Sequence, residues 1–303
     1  VVPASDVPSL RRCILAASVL DNIDLVPHAD GVLLPDPRGP LVPWADIADV
    51  VGDHDPASVL ARRRVTTFLR LRTLVADLGS EAAWRLRAAA RLVALPRDHA
   101  AHGGPGWVQE RLPGKALDLG LGAVGLFGDP DDIHVLPPQI LQTCEVHGED
   151  WWRDVRGHAE RMGGLAATRI SREDYPGNTH SRRAVLRPVG GCDVLSLLAS
   201  SALRRQLATG DGSGMRALAV PMRTRGWFEL SRIDPAFTLT AWSATDDFDR
   251  GVPCPLLVTA EEVSLPADGG NPVTGSLDLD RDVPVRSREG QPRRGFSSRR
   301  RRQ

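Results

Sequence analysis

The stretch RPVGGCD at residues 187–193 sets one cysteine, Cys192, between a glycine pair and the apparent start of a helix, VLSLLASSALRRQL. A thiol at a helix start lies near unpaired backbone N–H groups and the positive end of the helix dipole. That setting favours the thiolate, which is the nucleophilic form. Gly190 and Gly191 would let another backbone approach closely. Strand–turn–helix is also the context of a nucleophile elbow, although GGCD lacks the G-x-S-x-G form. A nucleophile needs a base, and the nearest histidine in sequence, His180, precedes the strand leading to the turn. Asp193 next door opposes a thiolate. The competing reading is a small packed residue in a tight turn, the common fate of a free cysteine. The turn is the expectation here, and a thiol enzyme with Cys192 as its nucleophile is an alternative.

RTRGWFELSRIDPAF at 223–237 is the second chemically suggestive stretch. Arg223, Arg225 and Arg232 flank Trp227 and Phe228. Arginines with aromatic residues on an exposed sheet suit phosphate contact and base stacking. The same residue types also make an ordinary core edge with salt bridges. A nucleic-acid or ligand-binding role for Arg223, Arg225, Trp227 and Arg232 is therefore an expectation to be tested.

Other motifs lack a part that their chemistry requires. GLGAVG at 120–125 has dinucleotide-fingerprint spacing, but LFGDPDD follows it where a helix N-terminus must receive the pyrophosphate. PGKAL around Lys115 lacks the glycine and hydroxyl positions of a phosphate-binding P-loop. Cys144 and His147 form one close pair without a second, so no metal site is expected. VADLGSEAAWRLRAAARL at 75–92 suggests a helix-turn-helix carrying Arg85, Arg87 and Arg91. Its turn is short and its first helix long, which suits a plain helical hairpin better.

The elements that must position these residues follow from periodicity and punctuation. Ser9 can cap a helix from Leu10 to Asn22, and GVLLPDPRGPLVPW reads as a hairpin around Asp-Pro-Arg-Gly. WADIADVV is a short helix. The strongest helical signal covers 57–78, stopped by Gly79, with a second helix expected over 81–94 before Pro96. HAAHGGPGWVQERLPG is a loop. Residues 116–138 are extended and glycine-punctuated, and a helix covers 149–170. After a polar break come a strand at 184–189, a helix from Asp193 to Ala208, strands at 215–222 and 227–230, a helix opened by Asp234–Pro235, and a strand at 255–263. This β-α-β-β-α-β order is the split pattern of ferredoxin-like domains.

The expected fold class is α+β. A mainly helical region occupies 1–112, a Gly/Pro-rich section with a helix 113–180, an α+β module 181–265, and a disordered arginine-rich tail 266–303. The formal net charge is zero, but from Arg286 onward eight arginines and one glutamate give +7, leaving −7 on the rest. A basic tail of this kind is commonly disordered and can contact polyanions. Lys115 is the only lysine among 38 basic residues, aromatic content is 5%, and the core must be built from Leu, Val and Ala. Four scattered cysteines, 13, 144, 192 and 254, argue for reduced thiols rather than a disulfide scaffold. No apolar run reaches the ~18 residues of a membrane helix, and the stretch after Arg11–Arg12 lacks a signal-peptide cleavage pattern. The resulting expectation is a soluble cytoplasmic protein that binds a ligand, a protein or a nucleic acid, with no cofactor and no complete catalytic constellation.

Overall fold

A computed structural model of the chain describes residues 7–35, 39–173, 185–209, 212–228 and 233–266. The first helix, α1 (Val7–Asp21), starts earlier than expected, so Ser9 lies inside it, where its hydroxyl accepts from Arg12 at 3.3 Å. Three short strands follow, β1 (Val26–Pro27), β2 (Gly31–Leu33) and β3 (Leu41–Pro43), paired antiparallel in that order. The hairpin read from Gly and Pro spacing is the β2–β3 pair. Helix α2 (Trp44–Val51) buries Trp44, Ile47 and Val51. Helix α3 (Val59–Leu78) is capped by the Ser58 hydroxyl, which accepts from the Ala61 N–H at 3.1 Å, and it ends at Gly79 with φ +53°. Its buried face, including Val65, Phe68, Leu69, Leu71 and Val75, packs on α1 and α2.

The helix expected over 81–94 is corrected. Helix α4 spans only Ala82–Ala89, and the next residues form a strand, β4 (Ala90–Leu95). Ala, Arg and Leu favour a helix locally, but Pro96 pushes Leu95 to extended geometry. All six residues also pair, one by one, with a later strand. Five of the six are buried, so tertiary burial overrides propensity. The partner is β6 (Asp118–Val124), reached after β5 (Val108–Arg111). β6 pairs β4 along one edge, and β5 and then β7 (Ile133–Val135) along the other.

GLGAVG therefore runs along the buried central strand β6 and one residue past its end. A side chain at Gly120 would meet the Trp107 ring at 2.2 Å, and Trp107 Nε1 donates to the Leu121 carbonyl at 2.7 Å. The glycine makes room for an indole lying across the strand.

Helix α5 (Pro138–Thr143) leads to the long α6 (Gly148–Glu173), which covers the expected 149–170 and packs on β4. The last part contains β8 (Val185–Leu186), α7 (Val194–Leu197), α8 (Ser201–Thr209), β9 (Met215–Met222), β10 (Arg225–Trp227), α9 (Pro235–Ser243), β11 (Leu256–Thr259) and β12 (Val263–Ser264). These strands form one antiparallel sheet ordered β12-β11-β9-β10-β8. The single helix expected from Asp193 to Ala208 is broken into two. Arg204 reaches back to the Leu198 and Ala199 carbonyls at 2.8 and 2.9 Å. Glu160 of α6 accepts from the Ser201 and Ala202 N–H groups at 3.0 and 3.1 Å, supplying from outside the cap that α8 needs. Asp234 caps α9 as read, with its carboxylate accepting from Ala236 N–H at 2.9 Å.

The architecture is thus α+β, helices on antiparallel sheets. The β4–β6 ladder spans the expected boundary at 112/113, and the α6–α8 packing spans the one at 180/181. One hydrophobic cluster runs from Leu10 to Val263. A smaller one, Val93, Leu95 and Trp107, lies beyond it. Among the described residues no helix is long and apolar enough to cross a membrane. The arginine-rich tail, His180 and Arg232 lie outside the described residues.

Candidate functional site

The loop between β4 and β5, read from sequence as a bare connection, carries two buried histidines beside the buried Asp118. Asp118 opens β6 and sits directly opposite Arg111 of β5, whose Nε donates to its Oδ1 at 2.7 Å. Arg97, just past β4, approaches the second carboxylate oxygen at 3.9 Å, and His102 Nε2 stands 3.4 Å from the same oxygen. The Asp118 side chain is only 5% exposed, while Arg97 and Arg111 are 71% and 48% exposed. The buried carboxylate is held by cations that open to solvent.

His99 and His102 share one local geometry. His99 Nδ1 accepts from the Ala101 N–H at 3.0 Å, and His102 Nδ1 accepts from the Gly104 N–H at 3.1 Å. An acceptor nitrogen carries no proton, so each ring is neutral with its proton on Nε2. His99 uses that proton to donate to the Arg250 carbonyl at 2.8 Å. Burial, above all, pushes the His99 pKa down from 6.5 to about 4, with the nearby Arg223 guanidinium acting in the same direction. Burial likewise lowers the His102 pKa, against the opposing pull of Asp118.

Across from this loop lies a second buried ion pair. Arg223 Nε donates to Asp193 Oδ2 at 2.6 Å, and the Val194 N–H donates to the Arg223 carbonyl at 2.9 Å. Asp193 also caps α7, its Oδ1 accepting from Ser196 N–H at 2.8 Å. Arg223 donates further to the Phe248 carbonyl at 3.3 Å. His99, His102, Asp118, Asp193 and Arg223 all line one cleft of about 1900 Å³. They arrive from the β4–β5 loop, the start of β6, the α7 cap and the β9–β10 turn.

The residues singled out in the sequence divide accordingly. Cys192, Arg223 and Arg225 are brought to this cleft. Trp227 is half-buried and packs edge-on against Phe237 at 5.7 Å. Arg225 is exposed and lies over the Trp227 ring at 5.7 Å. Arg223, read as a surface contact, is buried and committed to Asp193. Of the helical-hairpin arginines, Arg87 pairs with Asp154 at 2.7 Å and Arg91 binds the Ala88 and Ala90 carbonyls. No group of three metal-ligating side chains occurs among the described residues.

Cys192 occupies the tight turn. Val189 and Cys192 exchange backbone hydrogen bonds at 3.0 Å each way around Gly190 and Gly191, both with positive φ. The side chain is fully buried, and burial together with Asp193 pushes its pKa up to about 12. The thiol is therefore protonated at neutral pH. Native alkylation followed by mass spectrometry should label the half-exposed Cys144 and Cys254 first and Cys192 only on unfolding. Fast native labelling of Cys192, titrating below the free-thiol value of about 8.5, would return the thiol to consideration as a nucleophile.

His99, His102 and Asp118 were missed because each belongs to an unremarkable loop or strand end. The available signal was two histidines three residues apart, beside glycines, in a chain with only eight histidines. Comparison with protein-family models, with curated proteins and with solved structures gives no match to this chain.

Proposed function

We propose that this protein binds a small polar ligand carrying both positive and negative groups, and does so without performing chemistry on it. The observation that carries this reading is the cleft's content: two buried carboxylates, each paired with arginine, and two neutral imidazoles, gathered from separate segments. Ligand sites combine a concave space with a few fixed polar groups. Arginines and aspartates both line this one, which suits a ligand of mixed charge better than a polyanion. A second reading, single-stranded nucleic acid, is favoured by Arg225 exposed over Trp227.

A thermal-shift screen of zwitterions, simple anions, simple cations and oligonucleotides separates the two. Under the ligand reading a zwitterionic class raises the unfolding temperature, and Arg97→Ala, at the exposed mouth of the Asp118 subsite, weakens that shift. Stabilisation by oligonucleotides alone, vanishing steeply with salt, would favour the nucleic-acid reading instead.

A further inference from the structure

The wall of the large cleft built on β8 and β10 carries two arginines that no carboxylate neutralises. β8 and β10 pair antiparallel, with Leu186 opposite Gly226 and Val185 opposite Trp227. One step on, this register sets Arg187 opposite Arg225. Pro188 follows Arg187, and a residue before proline is pushed to extended geometry, so the register carries on past the last paired residues. Directly opposed residues share a face of the sheet. Leu186 and Gly226 are buried, which leaves Arg187 and Arg225 on the outer side, both exposed and both lining the cleft.

Like charges directly opposite one another destabilise a strand pair. Of the eight arginines lining the cleft, six hold a carboxylate or a backbone carbonyl, and these two hold neither. Among the described residues no carboxylate comes within 4.0 Å of either guanidinium. The pairing of β10 with β9 is irregular between Arg225 and Trp227. Such bulges re-aim side chains and are common beside functional sites. Arg225 lies over the Trp227 ring at 5.7 Å, which restricts where its guanidinium can go.

The register points to Arg187 and Arg225 as the seat of a phosphate monoester group on the ligand of this cleft. The inference rests on the small-ligand reading above and names the anionic group which that ligand carries. One guanidinium fork already fills the two oxygens of a carboxylate. A phosphate monoester has three terminal oxygens and nearly two charges at neutral pH, which matches two forks and two unneutralised cations.

The test is calorimetric titration of the full chain with phosphoethanolamine and with sodium phosphate, each against chloride at matched ionic strength. Saturable binding of both is expected, weakened about tenfold or more by Arg187→Gln and by Arg225→Gln, the scale of one lost hydrogen bond to a charged group. Because the arginines after residue 285 also attract anions, these variants decide. Phosphate that binds through the pair as tightly as phosphoethanolamine would overturn the mixed-charge reading of the cleft and uphold the pair. Phosphoethanolamine binding that both variants leave unaltered would uphold that reading and overturn the pair. Heat that is non-saturable or reproduced by chloride for both probes overturns the assignment too. Without ligand, Arg187→Gln should hold or raise the unfolding temperature, because it removes a repulsion. A fall would make Arg187 a structural residue and overturn the proposal.

Discussion

Lowering the pH from 7 to 4 is expected to cost the folded state about 3 kcal/mol through His99 alone. Its pKa stands at 6.5 when unfolded and about 4 when folded. The unfolded chain therefore binds a proton between these values that the folded chain refuses, so stability falls as pH falls through this window. Well above pH 6.5 the full contribution is present, and well below pH 4 nothing further is lost from this group. Each unit is worth about 1.4 kcal/mol, so the full shift is worth about 3.5 kcal/mol, of which about 3 is lost by pH 4, where the folded ring is half-protonated. The geometry gives the same sign. A proton on Nδ1 would face the Ala101 N–H that this nitrogen now accepts. Urea unfolding at several pH values checks it, comparing the wild type with His99→Gln. The wild type should lose about 3 kcal/mol more than the variant over this range. Parallel curves would show that His99 titrates normally.

Replacing Arg223 with methionine should be the most damaging single change at the cleft, at about 3–5 kcal/mol, because it leaves a buried charge without its partner. Asp193 is 5% exposed and Arg223 9% exposed in their side chains, so water cannot take over. The double variant Arg223→Met with Asp193→Asn should recover part of the loss, since asparagine can still cap α7. Denaturant midpoints measure both. A loss below about 1 kcal/mol for Arg223→Met would place the pair with ordinary surface salt bridges.

This pair also shows where sequence reading stops. Asp193 was legible as a helix-start residue and Arg223 as part of a basic stretch, yet their 30-residue separation gave no sign that they meet. Capped and strongly periodic elements were legible: α3 with its Gly79 stop, α9 with Asp-Pro, and the length of α6. What decides the rest is supplied from a distance. β4 is a strand because β6 pairs with it, and α8 starts where Glu160 of α6 caps it. The β4–β5 loop holds its buried histidines beside Asp118 because that carboxylate, opposite Arg111, lies within 4 Å of His102 and Arg97. Periodicity describes one segment at a time, and these interactions each join two.

β6 has hydrogen-bonded neighbours along both edges, and Asp118–Ala123 are all buried. The acid at its first residue is thus fixed by folding, before any ligand arrives. The opposite wall hangs on a two-glycine turn and on strands of two and three residues, β8 and β10. A bound molecule would therefore find one side of its site preorganised, at little entropic cost. Adjustment to its shape would fall on the other side, so differences between competing ligands should be read most sensitively around Gly190, Gly191 and Arg225.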